Sequence, residues 1–116
     1  MSIKVTLESD GVVTLDPLTL GKKRKGKTDH KITWEKGSGG EPFRFLCVHF
    51  EDPKAPFSDI KINPNNVTCK NKIKKKSGTH NWDYVVTVEG SDGEHHSSNK
   101  TGPSAEGGRG VIRNED

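Results

Sequence analysis

The sequence predicts an all-β domain, folded as a two-sheet antiparallel β-sandwich of about seven to nine short strands. Three observations carry that reading. The run 78–90, Gly-Thr-His-Asn-Trp-Asp-Tyr-Val-Val-Thr-Val-Glu-Gly, puts Trp82, Tyr84, Val86 and Val88 on one face of an extended chain, because side chains alternate along a strand. Shorter apolar runs recur along the chain, separated by Gly, Pro, Asn and Asp turns. No stretch keeps the apolar period of a helix. A strand face as apolar as that of 78–90 needs a second sheet to cover it, hence a sandwich.

In chain order, Ile3, Val5 and Leu7 alternate with Lys4 and Thr6, which describes a half-buried first strand. Ser9-Asp10-Gly11 is a turn. Residues 12–15 make a second short strand, stopped by Asp16-Pro17 because proline cannot donate to a ladder. Leu18 and Leu20 cover the core edge. The run 21–27, Gly-Lys-Lys-Arg-Lys-Gly-Lys, has no apolar residue and is expected as a solvated loop or hairpin tip. Residues 30–35 form a strand with Ile32 and Trp34 on one face, followed by a Gly-rich turn. Residues 43–50 are the most apolar strand: Phe43, Phe45 and Cys47 face one way and Leu46, Val48 and Phe50 the other. Apolarity on both faces predicts a central strand. Ile60 and Ile62 mark a short strand. Val67, Cys69 and Ile73 mark another, with Asn71 on its inward face signalling a bulge or tight hairpin. After the turn Ser91-Asp92-Gly93, residues 94–98 can return antiparallel. Residues 1–98 are therefore assigned to the sandwich domain. Residues 99–116 are assigned to a flexible Gly-rich C-terminal segment in which Val111 and Ile112 can add a short edge strand.

The run Trp82-x-Tyr84-x-Val86-x-Val88 resembles the late core strand of immunoglobulin-like and fibronectin-like domains, and Trp34 sits where such domains bury a tryptophan. The resemblance implies an immunoglobulin-like two-sheet architecture and no activity. It departs from the true immunoglobulin signature, because no cysteine follows Tyr84 by two residues and Trp34 does not lie between Cys47 and Cys69.

Hydrophobic residues make up 28% of the 116 residues and the mean hydropathy is -0.85, so the core must be thin. A net charge of only +3 and the strand patterns separate the chain from disordered sequences, which combine low hydrophobicity with high net charge. No apolar run reaches the ~18 residues of a membrane-spanning helix, and the first residues lack the apolar core of a secretory signal. A cytoplasmic protein with Cys47 and Cys69 as reduced thiols is expected, although a sandwich could also bridge them.

The leading functional reading is a non-enzymatic module that binds a protein partner through a sheet face or edge. The alternative is weak binding of nucleic acid or another polyanion through two basic loops, 22–27 and 70–76. Its residues are Lys22, Lys23, Arg24, Lys25, Lys27, Lys70, Lys72, Lys74, Lys75 and Lys76. If both loops lie at one end of the sandwich, they form a single positive patch. The plainer role for those lysines is protection of strand edges from aggregation. Sixteen carboxylates against nineteen cations weaken a nucleic-acid reading, and neither run contains an aromatic residue to stack a base. A second alternative is a metal-binding sandwich using Cys47 and His49, two residues apart on one strand face, with Cys69. Cys47, His49 and Asp52 supply a thiol, a base and a carboxylate, but side chains at i and i+2 on a strand run parallel rather than meeting, which disfavours catalysis. No cofactor is implied.

Overall fold

Pairing partners settle what the alternation pattern leaves open. A computed structural model of the chain describes residues 2–23, 30–72, 79–98 and 109–115, with only the backbone described for residues 22, 23 and 115. The strands are β1 (Ser2–Leu7), β2 (Val13–Asp16), β3 (Thr19–Lys23), β4 (His30–Lys36), β5 (Phe43–Phe50), β6 (Phe57–Ile62), β7 (Asn66–Asn71), β8 (His80–Gly90), β9 (His95–Ser97) and β10 (Gly110–Glu115). They form two sheets, ordered β2-β1-β4-β7-β6 and β3-β10-β8-β5, with β9 beside β8. The molecule is all-β among the described residues, as the sequence predicts.

The two sheets are mixed, where antiparallel pairing was expected. β1 and β4 run parallel, as do β3 and β10. The cause is connectivity. After the β1–β2 hairpin the chain crosses to the second sheet as β3, then returns to the free side of β1 with no hairpin to reverse its direction. β3 is also the strand that the sequence reading missed. Gly21, Lys22 and Lys23 belong to it and not to a loop, because Leu20 is buried and the backbone ladder on β10 needs no apolar side chain. Ten strands result among the described residues, one more than the expected range.

The core lies between the sheets. Ile3, Val5, Leu7, Val13, Leu15, Ile32, Trp34, Val67 and Cys69 from the first sheet meet Leu20, Phe43, Phe45, Val48, Tyr84, Val86, Val88 and Ile112 from the second. Trp34 stands edge-on to Tyr84, with ring centroids 5.3 Å apart and planes at 73°. Such a pair contributes about 0.5–1.5 kcal/mol beyond the area it buries. Tyr84 in turn lies over Gly110, where a Cβ would come within 2.1 Å of the ring, so only glycine fits that point of β10.

Three expectations need correction. β5 is an edge strand, not a central one. Its apparent two-sided apolarity comes from a bulge: Phe45 pairs with Val88 and Cys47 with Thr87, leaving Leu46 extra. One inserted residue reverses the alternation, so Phe43, Phe45 and Val48 are buried together while Cys47 turns outward with His49. The open edge of β5 is tied to the other sheet by a Phe45 N–H donated to the Pro64 carbonyl at 3.0 Å. The terminal strand β10 is interior, between β3 and β8, instead of at an edge. Trp82 points inward opposite Ile112 but is only half-buried, near the rim where β8 begins, and stacks on His80.

Candidate functional site

Strand direction fixes two ends for the molecule, whose long axis measures 45 Å. One end is marked by Asn71 and Asn114, both buried, whose side-chain amides exchange hydrogen bonds across the sandwich at 2.8 and 3.0 Å. Asn71 closes β7 opposite His30, the first residue of β4. Asn114 pairs with Lys22 of β3 on one side and His80, the first residue of β8, on the other. The connection from Lys23 to His30 and the connection from Lys72 to Thr79 therefore both leave and re-enter at this end. Those two connections carry the two basic runs of the sequence. Arg24, Lys25, Lys27, Lys74, Lys75 and Lys76 lie outside the described residues, whereas Lys22 and Lys23 are on β3 and Lys70 is on β7. Lys72 follows β7 directly, exposed, its backbone N–H donated to the Pro56 carbonyl at 2.7 Å.

The positive surface extends onto the outer face of the first sheet. Lys31 of β4 and Lys70 of β7 are directly opposite each other, both exposed. Like charges so placed destabilise a sheet. Lys61 joins them around a shallow groove of about 620 Å³ that is floored by Thr68. The single carboxylate in its lining, Asp59, pairs with Lys70 at 3.3 Å. Asp59 has a left-handed backbone, φ 54°, at an irregularity in the β6–β7 register. Lys31 was readable from the alternation of β4, since Ile32 and Trp34 inward put Lys31 outward. Lys61 was not, because the β6 irregularity breaks the alternation that would assign its face.

The metal reading using Cys47, His49 and Cys69 does not assemble. Cys69 faces the core from the first sheet, and Cys47 faces outward from the second. Both thiols are free, and burial pushes that of Cys69 up to about 12, far from the thiolate a metal needs. A different trio was not found by sequence reading. Asp92, Glu94 and His96 bring their ligand-type atoms within 4.8 Å of one another at the β8–β9 turn. Of the adjacent His95 and His96, only His96 lines this pocket. This trio lies at the end of the molecule remote from the basic runs.

No protein-family model matches the chain, and no curated protein matches it.

Proposed function

We propose that this chain is a non-enzymatic β-sandwich binding module that holds a polyanion, such as a nucleic-acid backbone, at its basic end. The observation that carries the reading is the meeting of the residues flanking both basic runs, Lys23, His30, Lys72 and Thr79, around the Asn71–Asn114 pair. Among the described residues of the two runs, the backbones of Lys22 and Lys23 and the residues Lys70 and Lys72 lie at this end. The opposed Lys31 and Lys70 add to the same surface, and an anion seated between them would relieve their repulsion. Nine of the ten cations are lysines, point charges on flexible stems without the planar fork that reads a guanine edge. Binding is then electrostatic and indifferent to base sequence.

The test is affinity for a short duplex as a function of salt. Each neutralised phosphate contributes a slope of about -0.9 in log affinity against log salt. Changing Lys22, Lys23 and Lys25 to Ser should lower the slope, and adding Lys74, Lys75 and Lys76 to Ser should lower it further. No measurable binding at low salt would leave these lysines with edge protection alone. A second reading, a protein partner added along a sheet edge, is favoured by β6. This edge strand exposes Ile60 and Ile62 by 41% and 46%.

A further inference from the structure

The β8–β9 turn gathers a mixed set of ligand-type side chains at the end of the molecule opposite the Asn71–Asn114 pair. Asp92, Glu94 and His96 alternate with Gly93 and His95, and one ligand-type atom from each lies within 4.8 Å of the other two. The turn brings them together. Gly93 takes a left-handed backbone, φ 82°, and the Gly90 N–H is donated to the Glu94 carbonyl at 2.9 Å. The Glu94 N–H is donated in turn to Asp92 Oδ1 at 3.0 Å, which orients that carboxylate.

Exposed carboxylates alone would say nothing of what they bind; the imidazole beside them does. His96 lies directly opposite Val88, which is fully buried, so its side chain is on the inner face of β9. It is half-buried and makes no hydrogen bond among the described residues. His95, by contrast, meets Glu89 at 3.2 Å. Two glycines leave room around the His96 ring. A Cβ at Gly11 would come within 3.2 Å of Nδ1, and one at Gly90 within 3.7 Å of Nε2 and 2.9 Å of Asp92 Oδ1. Gly90 has no positive φ that would demand glycine, so an ordinary side chain there is opposed only by this crowding of Asp92 and His96.

We propose that Asp92, Glu94 and His96 form a binding site for a divalent transition-metal ion of the zinc type. Two carboxylates and one imidazole suit such an ion, whereas calcium and magnesium take oxygen ligands. Metal bonds of about 2.0–2.2 Å put the ligand atoms of a tetrahedral site about 3.3 Å apart, so the trio closes by rotation of the two exposed side chains. Three protein ligands leave the fourth position to water. Glu8 and Glu41, exposed around the adjoining concavity, add negative charge that draws a cation to this end. The ion pins the three-residue β9 to the turn that precedes it. The site uses no residue of the basic end and is independent of the polyanion reading.

The test is calorimetric titration of the chelator-treated full chain with zinc, in a Cys47→Ser background that removes the outward-facing thiol. A single equivalent should bind, and by NMR the ring nitrogens of His96 should shift while those of His30, His49 and His80 stay. His96→Ala and Glu94→Gln should each weaken binding by at least about tenfold, with the strand signature by circular dichroism retained. Asp92→Asn keeps an acceptor for the Glu94 N–H and should weaken binding without opening the turn. Gly90→Ala should weaken it by displacing the Asp92 carboxylate, and His95→Ala should leave it unchanged. If His96→Ala does not fold, the His96 ring shifts and the Glu94→Gln and Gly90→Ala titrations decide. Absence of saturable zinc binding would overturn the proposal, as would zinc binding without a His96 ring shift or insensitive to His96→Ala. Calcium bound as tightly as zinc, and unaffected by His96→Ala, would also overturn it by reducing the site to attraction of cations by carboxylates.

Discussion

Asn71 and Asn114 show how much a single residue pair can fix. Each amide satisfies the other inside an otherwise apolar layer, and the pair joins β7 of one sheet to β10 of the other. Removing one partner leaves a buried amide unsatisfied, which costs about 1–3 kcal/mol, whereas replacing both by apolar groups of similar shape can be nearly neutral. We expect Asn71→Ala to lower the unfolding free energy by that amount, and Asn71→Leu with Asn114→Leu to recover most of it, as measured by equilibrium denaturation. The cysteines give a second residue-scale expectation. Cys47 faces outward and Cys69 is 2% exposed. Brief alkylation of the native protein should label Cys47 alone, and denaturant should expose both. Burial raises the Cys69 thiol from its ordinary 9.0 to about 12. The unfolded chain then loses that proton first, so stability should fall as pH rises from 9 towards 12. Cys69→Ser should flatten that decline.

At the scale of the element, β6 bears on both functional readings. Asp59 is the only carboxylate among the described residues lining the Lys31–Lys61–Lys70 groove, and its pair with Lys70 is more than half exposed on both sides, 56% and 55%. An ion pair that exposed contributes little to stability. Asn tolerates the left-handed backbone of that site about as well as Asp. We therefore expect Asp59→Asn to bind a polyanion about two- to fivefold more tightly at low salt while changing stability by about 0.5 kcal/mol or less. Titration of the variant beside the parent checks both. The elements also show what was legible beforehand. Strands with clean alternation, β1, β4 and β8, were readable with their inward faces, because burial on one side imposes a period of two. β3 was not, because its place in the sheet comes from backbone pairing with β10 and its sequence is basic. The phase of β5 was not, because a one-residue bulge leaves no mark in composition. β10 had too few apolar residues to reveal that it lies inside a sheet.

For the whole molecule, the charge total conceals its arrangement. Nineteen cations and sixteen carboxylates nearly cancel, which argued against a polyanion partner when only the sum was known. The topology brings the described flanks of both basic runs, with Asp59 and Glu115 among them, to one end, and gathers Glu8, Asp10, Glu41, Asp92 and Glu94 at the other. Sequence alone could list the lysines but could not place runs some fifty residues apart at a common end, because that depends on long-range strand pairing. The measurement that tests this account most directly is a titration of the isotopically labelled chain with a short duplex, following every backbone amide by NMR. We expect perturbations at His30, Lys31, Asn71, Lys72, Thr79 and His80 that disappear at high salt, with Leu7, Gly90 and Asp92 unmoved. Perturbations confined to β6, or spread evenly over both ends, would contradict a single polyanion site at the basic end.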